Sequence, residues 1–304
     1  MKQLSIIKTQ FIWFLISGLI IAIGCFAMIN NISKKGVAFD LGIDFTGGTS
    51  LLLSIESVET QFKETGKLSS ALRSEINTKI RETLGKHGIL HIQQTTVEKH
   101  LFAIKTYLVS QQSLNRPLDD LKKEIGSFKV LETDFIGPTI GYELKQQSIW
   151  IIIVAIVILL IYITFRFEFY AALAAIIALL HDALITLGLT AVLGLEVNTA
   201  FIAALLTILG YSINDTIVIF DRIRENVANV KGNFSDIVDL SINQTIVRSI
   251  NTSATTVVVL LAIYIFGGAS LSDFALVLLI GIISGTYSSI FIASPILNAF
   301  KKLS

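Results

Sequence analysis

The sequence predicts an α-helical polytopic membrane protein: six transmembrane helices, with one extracytoplasmic α+β domain inserted between the first and the second. Composition supports the first half of that reading. Hydrophobic residues are 53% of the 304 and charged residues only 15%, with a mean hydropathy of +0.71, which excludes an ordinary soluble domain. Six apolar stretches approach or exceed the roughly 20 helical residues that cross a hydrocarbon core. They run over 11–29, 149–165, 169–193, 197–220, 249–266 and 274–297. Between the first two lies a long mixed-polarity segment with its own strand and helix periodicities. The domains are therefore 1–29 (cytoplasmic N-terminus and first helix), 30–147 (the outside domain) and 148–304 (helices two to six with a cytoplasmic C-terminus).

The first stretch follows Lys2 and Lys8, and Ala22-Ile-Gly-Cys25 faintly resembles a lipoprotein cleavage site. Its apolar core is long for a signal peptide, and the position three before Cys25 is Ala22 rather than Leu, so the reading is an uncleaved anchor. Basic residues set the orientation. Lys2, Lys8, Arg166, Arg222, Arg224, Lys231, Arg248, Lys301 and Lys302 fall on one side, whereas the turns 194–196 and 267–273 hold none. Both termini are thus expected in the cytoplasm and 30–147 outside.

The outside segment reads as βαββαβ. A strand at 49–56 precedes a helix at 68–86 with Leu72, Ile76, Ile80 and Leu84 on one face. Strands at 89–98 and 101–109, a shorter helix at 118–125 after Pro117, and a strand at 128–135 complete it. That order closes as a ferredoxin-like sandwich. No Ser/His/Asp arrangement is visible, and Gly66-Lys67 is followed by Leu68, which rules out a phosphate loop. The expectation is a non-enzyme with no cofactor and no metal. Cys25 alone forms no intrachain disulfide, and His87 and His91 flank Gly88 as surface histidines. Charge is balanced, 24 basic against 23 acidic residues, so nothing marks nucleic-acid binding.

Asp215 stands in a run otherwise built for lipid, 200–220. A charge at bilayer depth costs from about 2.5 to above 10 kcal/mol, so the chain keeps it with a partner or for a task. A structural pair near a helix end is the plainer alternative. His181 and Asp182 lie mid-span in the third stretch, with Asp182 thirteen residues, about 20 Å, beyond Phe169. Asn214 adjoins Asp215, and Arg248, Thr252 and Thr255 or Thr256 recur on one face of the fifth. These groups form either a polar track or, for the hydroxyls, simple interhelical hydrogen bonds. Burial and a nearby guanidinium act oppositely on a carboxyl, so an aspartate whose distance to Arg248 changes binds a proton in one arrangement and releases it in the other. The proton is then the coupling ion, with Asp215 and Arg248 as the relay and Asp182, Asn214 and Thr252 in support.

Gly281, Gly285, Ser289 and Ala293 form a small-residue stripe on the sixth stretch, suited to close packing or to a sliding contact. Gly42, Gly47 and Gly48 around Asp44 allow tight turns where the chain leaves the membrane. Gly137-Pro138 ends the last strand before the return helix, and both motifs read as hinges.

Together Gly42-Ile-Asp-Phe-Thr-Gly-Gly-Thr49, Phe135-Ile-Gly-Pro-Thr-Ile-Gly141, His181-Asp182, Gly210-Tyr-Ser-Ile-Asn-Asp-Thr216 with Asp221-Arg222, and Ser241-Ile-Asn-Gln-Thr-Ile-Val-Arg248 resemble the SecF members of the bacterial SecD/SecF protein-export family, in the resistance-nodulation-division superfamily. The resemblance implies a bacterial inner-membrane location. It also implies six spans pseudo-symmetric with six from SecD, beside the SecYEG channel, with YajC and the ATPase SecA at the same translocase. It implies use of the proton gradient to complete translocation of unfolded polypeptides, and its relay aspartate and arginine match Asp215 and Arg248. Two other classes stand beside it: a small-molecule/proton antiporter half of the same superfamily, which would have a larger outside region, and a non-transporting scaffold, in which Asp215 is incidental.

Overall fold

A computed structural model describes residues 4–65, 69–87, 89, 92–98, 101–106, 114–267 and 269–303. The chain divides into two compact units, one holding residues up to Asp40 and from Ile149 onward, the other Leu41–Ser148. Among the described residues six helices are long and apolar enough to cross a membrane: Ile7–Lys34, Pro138–Arg166, Phe169–Leu193, Thr199–Asn229, Phe234–Phe266 and Leu271–Lys301. These are called the first to sixth spans.

The third span has the expected limits, and the other five outrun their apolar stretches. The second begins at Pro138 rather than 149 and the fifth at Phe234 rather than 249. Hydropathy marks where lipid begins, whereas the backbone hydrogen bonds that define a helix continue through polar sequence such as Glu143 to Gln147. Proline suits a first turn, because its missing N–H has no intrahelical acceptor there.

Small residues set the packing of the membrane unit. The third span buries Ala171, Ala172, Ala174, Ala175 and Ala178, which let neighbouring backbones approach. A Cβ on Gly24 of the first span would lie 2.5 Å from the Gly188 Cα of the third. A Cβ on Gly281 would lie 2.2 Å from Ile208, and one on Gly285 2.9 Å from the Ser212 Cβ, so the stripe on the sixth span seats directly on the fourth. The sixth span passes through a π-helical turn at Ser289–Ala293. Pro295 follows it and has no N–H to continue the ladder, and the Ser294 hydroxyl takes up the Ser289 carbonyl at 3.0 Å. By contrast, much of the first, second and fifth spans is exposed apolar surface, including Phe11, Leu19, Trp150, Ile158, Val258 and Ile265.

Among the described residues the Leu41–Ser148 unit carries a four-stranded sheet of β1 (Gly48–Ile55), β2 (Ile92–Glu98), β3 (Leu101–Thr106) and β4 (Phe128–Ile136). The strands lie in the order β2-β3-β1-β4, with every neighbouring pair antiparallel. Leu51 faces Ile104 on one side and Thr133 on the other. Alternation sends Leu51, Leu53 and Ile55 into the core with Phe102 and Ile104 of β3. Helix Ser70–Lys86 covers them with Ile76, Ile80 and Leu84, and helix Asn115–Ile125 with Leu121 and Ile125. Leu72 packs at the margin of that core.

One element departs from expectation. Glu56, the last residue of the strand expected at 49–56, instead opens the helix Glu56–Thr65, which lies ahead of the expected helix at 68–86, buries only Val58 and so lacks a visible apolar stripe. His87 meets Asp120 at 3.1 Å on the surface of this unit. The Lys123 ammonium, 2.7 Å away, holds the Asp120 carboxyl below its ordinary range, with His87 adding to it. Gly66-Lys67-Leu68, Gly88, His91, and the ends of the strands read at 89–98 and 101–109 lie outside the described residues.

Candidate functional site

Asp182 is fully buried among the third, fourth and sixth spans. Ser212 and Ser288 each donate to its Oδ2 at 2.6 Å, and Ser284 donates to Oδ1 at 2.8 Å. His181 Nδ1 lies 3.0 Å from Oδ1. Three hydroxyls from two helices thus converge on one carboxylate, and a buried carboxylate is retained when such donors satisfy its lone pairs. The neighbouring turn continues the polar seam, with Thr216 and Ser289 2.9 Å apart between the fourth and sixth spans.

Asp215 follows Ser212 by three residues on the fourth span and is 3% exposed. Its environment differs from that of Asp182. Oδ2 is buried without a hydrogen-bond partner among the described residues, and so is Ser249 Oγ of the fifth span. Ser249 and Thr286 are the hydroxyls that act on this carboxyl, and Arg248 is the cation within its electrostatic reach. Arg248 is itself exposed and makes no ion pair with Asp215 within 4.0 Å.

Beyond this carboxyl the hydroxyls continue. Ser253 and Thr286 share a 2.5 Å hydrogen bond, and the Tyr211 hydroxyl lies 3.4 Å from both Ser253 and Thr256. The arrangement therefore offers an under-bonded acid, a nearby cation and a line of groups that each donate and accept.

The fifth span presents a different face from the one expected. Thr252 is exposed and its hydroxyl turns back to the Arg248 carbonyl at 2.9 Å. Ser249 and Ser253, one turn apart, occupy the packed side instead. Asn214 is exposed, on the side of the fourth span away from Asp215's burial. Ser212, Ser284 and Ser288 escaped the sequence reading. Their one signal was the four-residue spacing of Ser284 and Ser288 beside the glycine stripe.

The glycine motifs belong to the Leu41–Ser148 unit. Gly47 and Gly48 have φ of +70° and +122°, a region that side chains with a Cβ avoid. Gly42, by contrast, has an ordinary φ of −68°, and it caps the single turn Ile43–Thr46 that contains Asp44. A Cβ on Gly47 would lie 3.0 Å from the Pro138 Cα, and one on Gly141 2.9 Å from the Gly47 nitrogen. Gly137 has open space around it. The Gly47-Gly48 turn thus seats against the first turn of the second span.

Comparison with known proteins matches these elements to two family models. The one described as protein export membrane protein SecD/SecF, C-terminal, covers residues 118–303, and the SecD/SecF GG motif covers 38–57. The protein translocase subunit SecF of Sebaldella termitidis is 40% identical over 308 residues, covering 99% of this chain and 94% of that protein. The SecF subunit of Synechocystis sp. is 36% identical over 308 residues, covering 99% and 95%. The crystal structure of SecDF, a translocon-associated membrane protein from Thermus thermophilus, superposes with a TM-score of 0.79 at 34% identity over 97% of this chain. This chain spans 38% of that longer one.

Proposed function

The chain belongs to the SecD/SecF family of protein-export membrane proteins, as a SecF-type translocase subunit, and on that premise we propose that it works with SecD to couple the proton motive force to protein export through SecYEG. It is a multi-pass membrane protein. In the proposed arrangement both termini face the cytoplasm of a bacterial inner membrane. Residues 30–147 form an extracytoplasmic ferredoxin-like domain that handles the unfolded polypeptide, after SecA has driven it into the channel and with YajC at the same assembly. The strand order β2-β3-β1-β4 supports the ferredoxin-like assignment.

The observation that carries this reading is Asp215: a carboxyl within the helix bundle with one buried oxygen that has no hydrogen-bond partner among the described residues, and with Arg248 of the fifth span in electrostatic reach. A proton crossing the full potential supplies about 2.3 kcal/mol per 100 mV, enough to bias a domain between two orientations. Protonation removes the Asp215 charge and with it the attraction to Arg248, so the fourth and fifth spans change their preferred contact. Asp182 contrasts with it: four groups already surround its carboxylate, so it holds the third, fourth and sixth spans in register while Asp215 titrates. Gly42, Asp44, Gly47, Gly48, Gly137 and Pro138 serve as hinges near the two ends of the outside segment. Protons are the coupling ion and no other cofactor takes part. The test of the assignment is gentle solubilisation from membranes: SecD and SecY recovered with this chain support it, and recovery of neither contradicts it.

A further inference from the structure

We infer that the hydroxyls of Tyr211, Ser253 and Thr286 form the conduit that delivers protons to Asp215 from the extracytoplasmic side. This deepens the proposed proton coupling and rests on it. The line begins at Tyr211 and Thr256, both half-buried, whose hydroxyls lie 3.4 Å apart at the margin of the fourth and fifth spans. Tyr211 donates to Ser253 Oγ at 3.4 Å, and Ser253 shares its 2.5 Å hydrogen bond with Thr286 of the sixth span. Asp215 lies one turn beyond Tyr211 on the fourth span and Ser249 one turn from Ser253 on the fifth, both buried, and Thr286 and Ser249 are the hydroxyls within electrostatic influence of the Asp215 carboxyl, neither in a formed hydrogen bond to it.

Two buried atoms at the inner end lack hydrogen-bond partners among the described residues, Asp215 Oδ2 and Ser249 Oγ. An unsatisfied acceptor and an unsatisfied hydroxyl at the end of a hydroxyl chain leave room for an incoming proton, whereas buried polar groups with no such task are ordinarily paired. Direction follows from position on the helices. Tyr211 lies four residues, about 6 Å, before Asp215 on the fourth span, toward the Thr199 end. Ser253 and Thr256 lie toward the Phe266 end of the fifth. Both ends are the ones assigned outside.

Each step conserves charge and atoms. A proton taken up by the Tyr211 oxygen releases the Tyr211 proton to Ser253 Oγ, Ser253 passes its own to Thr286 Oγ1, and Thr286 passes its own to the Asp215 carboxylate. One O–H bond forms as the next breaks, and the net change is one proton moved inward. Thr286 otherwise donates to the Ile282 carbonyl at 2.9 Å, so its hydrogen swings from that carbonyl to Asp215 to complete the transfer. Afterwards the hydroxyls rotate back. Arg248 and Thr252, on the exposed side of the fifth span, stand outside this line.

The test is proton influx into liposomes that hold the full chain co-purified with its SecD partner and an enclosed pH-sensitive dye, under an imposed gradient. Tyr211→Phe and Thr286→Val keep shape and remove one hydroxyl each, and each is expected to lower influx roughly 10- to 100-fold. Thr286→Ser restores the hydroxyl and is expected to restore the flux, which a purely packing role for Thr286 would not do. Normal influx in either Tyr211→Phe or Thr286→Val, with Asp215→Asn inactive, overturns the conduit and leaves proton coupling standing. Wild-type influx in Asp215→Asn overturns the proton reading and the conduit with it.

Discussion

Ser212 donates a 2.6 Å hydrogen bond to Asp182 Oδ2 across the third and fourth spans, three residues before Asp215 on the same helix. One turn of the fourth span therefore carries both Asp215 and a donor to the Asp182 carboxylate of the third span; Asp182 is saturated with donors, whereas Asp215 Oδ2 has none among the described residues. In the proposed coupling, that contrast gives Asp182 a holding role and Asp215 a titrating one.

Removing the acceptor should cost more than removing any one donor. Ser284→Ala deletes one interhelical hydrogen bond, worth about 0.6–1.7 kcal/mol in a membrane protein. Asp182→Ala strands three serine hydroxyls together and is expected to cost about 2–4 kcal/mol. Unfolding of the purified variants in mixed detergent measures the order; an Asp182→Ala protein as stable as the wild type contradicts it.

Gly24 and Gly188 bring the first and third spans into backbone contact, with a Cβ on Gly188 falling 2.9 Å from the Gly24 Cα. Neither backbone has a flexible side chain to move aside. Gly188→Val is expected to destabilise the bundle by about 1–3 kcal/mol through overpacking. Gly18→Val, at a position with open space, serves as the control and should be near neutral.

Orientation is open to chemical labelling. In a Cys25→Ser background, Lys63→Cys is expected to react with a membrane-impermeant thiol reagent in intact cells, and Lys231→Cys only after lysis. The opposite pattern would reverse the topology. Lys63 is exposed, so failure to react reflects location rather than burial.

Much of this fold was readable in the sequence, for reasons that particular residues illustrate. Ile76, Ile80 and Leu84 repeat at helical spacing and enter the core of the small unit as that spacing requires. The third span is apolar to both ends, so its limits could be read directly. The second and fifth spans start earlier than their apolar runs because polar residues extend a helix beyond the lipid without changing its backbone. Helix Glu56–Thr65 buries one residue and leaves no periodicity to find. The hydroxyls were the hardest to read. Thr252 satisfies its own helix at the Arg248 carbonyl, whereas Ser284 crosses to Asp182, and only packing decides between those choices. For the same reason the polar face of the fifth span is Ser249 and Ser253, one position away from the face through Arg248 and Thr252.

Arg248 should depend on charge and reach rather than bulk, because its proposed task is to hold ionised Asp215 in one arrangement. Arg248→Lys is expected to keep part of the gradient-dependent export, and Arg248→Met to lose it despite similar length. In the double variant with Asp215→Asn, the second change should add little to the first. Fully multiplicative losses would mean that the two residues act independently.

The central claim is that proton coupling passes through Asp215, and gradient-dependent export in membrane vesicles of Asp215→Asn measures it. The amide is nearly isosteric and does not titrate in the working range, so folding and assembly with SecD should be retained. Export in these vesicles is expected to proceed at the same low rate with or without the gradient. A rate that rises with the gradient as it does in the wild type, at equal amounts of protein in the membrane, would contradict the claim.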